Sequence, residues 1–105
     1  MNPMASDGIE HDESAHRFVL CRDGVESYLL YRPIDPLAMD FVSTWVHPQL
    51  RGRGIGSRIV EHALEWAKVR GLKIVPTCWF VDEFIERNPK YSAMVSDRGR
   101  SREAG

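Results

Sequence analysis

The sequence predicts a single α/β domain, a compact sandwich with a mixed β-sheet and two helices in the order βββαβα. Three observations lead there. Residues 17–22 (RFVLCR) and 25–32 (VESYLLYR) are β-prone runs separated by Asp23-Gly24, and the central positions of such a hairpin favour positive φ. Residues 54–70 place Ile55, Ile59, Val60, Ala63, Leu64 and Ala67 on one stripe, the spacing of a helix with one buried face. Residues 72–76 (LKIVP) follow at once. A strand reached by a helical crossover lies parallel to the strand before the helix.

The remaining elements fall between these. Residues 33–36 (PIDP) read as a proline-punctuated loop, and residues 39–46 (MDFVSTWV) as a third strand. Its β-branched and aromatic residues on both faces predict an interior position. Arg58, Glu61, His62, Glu65 and Lys68 form the polar face of the long helix, and Gly71 supplies its stop. Residues 80–88 (FVDEFIERN) read as a second helix, ended at Pro89. Residues 1–15 hold no periodic apolar pattern and carry Asp7, Glu10, Asp12 and Glu13, so they are expected to be a disordered tail. Residues 97–105 are expected to be a second tail, which leaves residues 16–96 as the domain. A core of that size is marginal by itself. A bound ligand or a contact with a second copy would stabilise it.

Composition narrows the partners. Fourteen Lys and Arg against fifteen Asp and Glu leave a formal net charge of −1, so no global field recruits nucleic acid or anionic lipid. No apolar run approaches a membrane span, and the amino terminus lacks a signal-peptide core. Cys21 and Cys78 are too few for a disulfide framework or a thiolate metal site. His11, His16, His47 and His62 show no metal-ligand spacing. The expectation is a reduced, cytoplasmic protein without metal.

The chemistry gathers before the long helix, in His47-Pro48-Gln49-Leu50-Arg51-Gly52-Arg53-Gly54-Ile55-Gly56-Ser57. Three alternating glycines at the mouth of a helix let successive amide N–H groups turn toward one anion. The helix end adds unsatisfied donors and a positive dipole. Arg51 and Arg53 add charge, so a phosphate group is the natural guest. No lysine follows the glycines, which excludes a Walker loop, and G-x-G-x-G is not the dinucleotide spacing.

Arg51-Gly52-Arg53-Gly54-Ile55-Gly56 matches R-x-x-G-x-G, and the chain thereby resembles the GCN5-related N-acetyltransferases, whose motif of this form wraps the pyrophosphate of acyl-CoA. The stretch VHPQLRGRGIGSRIVEHALEWAKVRGLKIVPTCWFVDEFIERNPKY looks like their short, single-domain subfamily of about one hundred residues. The resemblance implies an acetyl-CoA-dependent N-acyltransferase acting on an amine. It places Arg51, Gly52, Arg53, Gly54, Ile55, Gly56 and Ser57 on the cofactor, with Thr44, Trp45 and Val46 along its pantetheine. The alternative is an acyl-CoA-binding or sensing protein with little catalysis. Full-length members carry two helices between the first strands and a terminal hairpin, and this sequence lacks both. The acceptor pocket is therefore expected to be open, or completed by a second subunit.

The family's usual acid is a tyrosine, and Ile85 stands at that position. Tyr91, in Asn88-Pro89-Lys90-Tyr91, and Cys78, after Val75-Pro76-Thr77, are the substitutes. Cys78 lies where a strand ends and a helix begins, and a helix N-terminus favours a thiolate. Its alternative is a small core cysteine. Cys21, in mid-strand, reads as core. His47 reads as a base or a capping residue, and Trp45 and Trp79 as walls of the cofactor cleft or as packing.

Overall fold

The structure is a computed structural model that describes residues 8–96. The tails expected at residues 1–7 and 97–105 lie outside the described residues. Five strands form one sheet in the order β1 (Ile9–Asp12), β2 (Arg17–Arg22), β3 (Val25–Asp35), β4 (Ala38–Trp45) and β5 (Lys73–Val75). The first four pair antiparallel, and β5 lies parallel to β4. Helix α1 (Ile55–Val69) makes the crossover, and α2 (Trp79–Arg87) follows β5. The expected α/β class, the interior third strand and the parallel crossover are all present.

One correction concerns the amino end. Residues 9–12, expected in the first tail, form β1 and pair Ile9 with Leu20 and Asp12 with Arg17. Strand order is therefore ββββαβα. Four residues reading IEHD offer no apolar run, and the strand is held by its two inward side chains instead. Ile9 is buried. The His11 ring stacks on Phe18 at 4.2 Å, meets the edge of Trp66 at 4.5 Å and lies 2.6 Å from the Tyr31 hydroxyl. A second difference is that β3 runs on through Pro33, which the sequence assigns to a loop. Pro33 sits beside a register shift, where a missing N–H costs the ladder least.

All the helical packing is on one face. The apolar stripe of α1 joins Phe18, Leu20, Leu29, Phe41 and Ile74 in one buried cluster, to which α2 adds Val81 and Ile85. The alternate strand residues Glu10, Cys21, Arg32 and Val42 are exposed on the other face. After α2, a 3-10 turn over Pro89–Met94 brings the chain back to β5, where the Ser96 N–H donates to the Ile74 carbonyl at 2.8 Å. That return covers part of the β5 edge, which would otherwise invite another strand. Tyr91 anchors the turn: its ring is fully buried and its hydroxyl donates to Glu65 at 2.6 Å.

Two measurements test this packing. Burial holds the His11 pKa below the ordinary imidazole value of 6.5. The unfolded chain therefore takes up that proton first, and stability falls as pH drops through about 6.5. Urea denaturation at several pH values should show this slope, and His11→Asn should reduce it. Tyr91→Phe leaves the ring in place and removes a hydrogen bond to a carboxylate, so it should lower unfolding free energy by about 1.5 kcal/mol.

Candidate functional site

The site begins where the sheet comes apart. Strand β5 has three residues, and its ladder with β4 reaches only Ala38, Met39 and Asp40. One more rung follows: the Cys78 N–H donates to the Phe41 carbonyl at 2.9 Å. Cys78 is then the N-cap of α2, and the chain turns away. Strand β4 continues to Trp45. Its pairing with β3 steps from Leu30–Ser43 to Tyr31–Phe41, so Val42 is an extra residue, a bulge that bends the strand and raises its twist. Beyond Phe41, the edge of β4 toward β5 has no strand partner among the described residues. A wedge opens there.

The glycine loop closes the wide end of that wedge. His47 caps a short 3-10 turn over Pro48–Leu50, with Nδ1 accepting from the Gln49 N–H at 3.1 Å, and Leu50 is buried beneath it. This is the capping role weighed for His47. Gly52 and Gly54 have φ of 84° and 74°, and a Cβ added to either would meet nothing within 4 Å. They serve the backbone turn and leave its outer side open. Gly54 is the N-cap of α1 and provides no side-chain bond. The amides of Ile55, Gly56 and Ser57 precede the first helical bond, from the Arg58 N–H to the Gly54 carbonyl at 3.2 Å, and so retain free donors.

Gly56 differs from the other two. A Cβ there would sit 3.1 Å from the Phe80 ring and 3.3 Å from Val46. It therefore permits close packing of α1 against β4 and α2. A cavity of about 220 Å³ lies here, walled by Val46, Arg51, Gly52, Gly54, Ser57 and Phe80 among others. Phe80 is a wall that sequence reasoning missed, because an aromatic at helical spacing carries the same signal as a core residue.

The two arginines are held differently. Arg51 donates from Nε to the Val46 carbonyl at 2.9 Å and lies over the Trp45 ring at 5.0 Å, which fixes its charge at the end of β4. Arg53 is paired with Asp23 in the β2–β3 turn at 3.3 Å. Both partners of that pair are exposed, and such pairs contribute little.

The structure brings Cys78 and Thr44 together. The Cys78 sulfur lies 3.5 Å from Thr44 Oγ1, and the residue is only 8% exposed. Cys78 thus combines the two readings weighed for it, lying at the strand end beside the wedge and also within the buried cluster. Tyr91 is not part of this site. Its partner Glu65 lies ten residues into α1, about 15 Å along the axis from the loop. Burial, then the hydrogen bond to Glu65, pushes the Tyr91 pKa well above that of an ordinary phenol. A hydroxyl so placed is turned to Glu65 and away from the wedge. Cys21 also departs from expectation. It is exposed on the helix-free face, and desolvation, then the Glu26 carboxylate opposite, raises its thiol pKa.

Trp79 is 73% exposed and packs edge-on to Phe80, and Trp45 is taken up by Arg51. A larger cavity, about 520 Å³, runs along the outer flank of α1 past Arg58, His62 and Trp66. None of the loop glycines lines it. Among the described residues there is no group of side chains suited to a metal ion. Among the described residues no helix is long and apolar enough to cross a membrane.

Comparison with known proteins agrees with this geometry. The profile of the GCN5-related N-acetyl-transferase family matches residues 17–94. Protein NATD1 of Xenopus tropicalis is 30% identical over 91 residues, spanning 85% of this chain and 84% of that protein. Human Protein NATD1 is 30% identical over 83 residues, spanning 77% and 74%. The solution structure of a GCN5-like protein from Staphylococcus aureus shares the fold with a TM-score of 0.68 at 24% identity, over 87% of this chain and 90% of that one. The family match over residues 17–94 and the 30% identity to the Xenopus tropicalis protein establish that this chain belongs to the GCN5-related N-acetyltransferase family.

Proposed function

We propose that this protein is an acetyl-CoA-dependent N-acyltransferase that moves an acetyl group to an amine. One observation carries the reading. The amino end of α1 is uncapped, opened by Gly52 and Gly54 in left-handed conformation, and stands beside the unpaired edge of β4. Free amides, a positive helix end and Arg51 suit the two negative charges of a pyrophosphate. A bare strand edge suits the amide-bearing pantetheine arm, which can bond to backbone as a neighbouring strand would. Gly52, Gly54, Ile55 and Ser57 contribute the cradle, and Gly56 keeps α1 close enough to use it. Arg53 joins by leaving Asp23. Thr44, Trp45 and Val46 line the arm, although the Val46 carbonyl is already taken by Arg51.

Acetyl-CoA brings the thioester as a substrate. The chain's part is to hold it, to aim the amides at the bulge toward the carbonyl oxygen where charge develops, and to admit the amine. Direct attack by the amine needs no acid from Tyr91. In the relay alternative, the Cys78 thiolate forms the new bond to the acyl carbon while the CoA thiolate leaves, and the amine then displaces Cys78. The open, helix-free side favours one rival reading, a protein that binds acyl-CoA and transfers little. Release of free thiol from acetyl-CoA in the presence of primary amines distinguishes the two.

Millimolar CoA should raise the melting temperature, since a ligand at one hundred times its Kd adds about 2.7 kcal/mol. A flat response from folded protein would remove the basis of the assignment. Gly54→Val forces a branched side chain into the left-handed region and should erase that CoA response in a protein that still folds. Arg53→Ala should cost less, because that arginine exchanges one anion for another. Bound CoA should slow alkylation of Cys78 and leave Cys21 unaffected. Cys78→Ser should then bind CoA normally, and it loses transfer only if the relay operates.

A further inference from the structure

We propose that the helix-free face of the sheet carries the acceptor subsite, and that the Asp40 carboxylate there takes the acceptor's ammonium group in exchange for Arg32. The proposal rests on the acyltransferase reading and adds the acceptor's chemistry to it. Asp40 immediately precedes Phe41, whose carbonyl holds the last rung before the strands part. Its side chain is 7% exposed, and Oδ2 accepts from Arg32 Nη2 at 3.0 Å. Oδ1 is buried with no hydrogen-bond partner among the described residues. A buried carboxylate with half its capacity unused is costly. It is the one charged residue of β4.

The present partner of that carboxylate is easily displaced. Arg32 stands directly across from Asp40 in the β3–β4 register, and its side chain is 71% exposed. Water competes for the outer member, so another cation can take its place, whereas the buried carboxylate always needs one. An alkylammonium is smaller than a guanidinium and carries three donors on one nitrogen. It can serve the oxygen that Arg32 now holds and, once Arg32 has left, reach the unpartnered Oδ1 beside it. On the same face stand half-buried Leu30 and exposed Val42, which offer a methylene stem an apolar surface to lie on. Val42 is also the bulge residue of the wedge. The acceptor class is thus an unbranched primary alkylammonium, such as a lysine side chain or the end of a polyamine.

The test is a titration of the full chain, saturated with CoA, by n-butylammonium chloride and followed through backbone amide resonances. Tetramethylammonium chloride, which has no N–H donor, is the control at equal ionic strength. Saturable shifts confined to residues 39–43 and their β3 neighbours, seen with butylammonium alone, are expected. Asp40→Asn should abolish them. Arg32→Gln, by removing the competitor, should tighten binding about threefold. Both variants should keep the thermal response to CoA. Equal shifts with both cations, shifts that persist in Asp40→Asn, or unchanged affinity in Arg32→Gln would overturn the proposal and leave the pair as a strand fastener. If Asp40→Asn does not fold, Arg32→Gln decides alone. Butylammonium binding here without any CoA response would instead overturn the acyltransferase reading and leave the subsite standing.

Discussion

The hydrogen bond from the Cys78 N–H to the Phe41 carbonyl is the hinge of the whole arrangement. Up to that rung, β4 and β5 are ordinary parallel neighbours. After it, one chain turns into α2 and the other bulges at Val42, so two strands that began in contact diverge. Every feature of the site depends on that divergence. It bares the edge of β4, sets the Cys78 sulfur against Thr44, and lets Phe80 swing under the start of α1 to meet Gly56. A β5 longer by two paired residues would close the wedge and leave the glycine loop with nothing to face.

The loop itself shows how one spacing can serve several physical ends. Gly52 and Gly54 take left-handed angles with open space outside them, which is what a turn presenting its amides to a ligand requires. Gly56 is held in the helix by packing, because any side chain would strike Phe80 and Val46. Arg51 bonds to the strand behind it, and this ties the loop's charge to β4. The result is a rigid cradle on a small scaffold. Arg51 is already held by Val46 and Trp45, so less freedom is lost there when a ligand arrives.

Much of this was legible in the sequence, for identifiable reasons. The stripe of α1, the Asp23-Gly24 turn and the β-rich run around Phe41 each obey a periodicity that burial imposes, and all three stand where expected. The glycine loop was legible because its chemistry is local. What escaped was non-local. Strand β1 has no apolar run and is held by a histidine among aromatics that arrive from β2, β3 and α1. Tyr91 looked catalytic by its position after a helix, and only the tertiary structure shows its hydroxyl spent on Glu65. Cys21 followed the rule that a mid-strand cysteine is buried, yet alternation put it on the face that no helix covers. Asp40, a lone acid in an apolar strand, had a signal that only the register with Arg32 makes meaningful.

The Arg53–Asp23 pair joins the loop to the distant hairpin turn, and it bears on how the protein should respond to ionic strength. A free cationic loop loses affinity for an anion steeply as salt rises, because each unpaired charge releases its share of counterions. Here one of the two arginines is already neutralised by its own chain. Salt weakens that internal pair as well as the pair that Arg53 would form with the phosphate of the proposed cofactor, and the two effects oppose each other. Affinity in such a loop becomes less sensitive to electrolyte than its count of arginines would imply, at the expense of some long-range attraction.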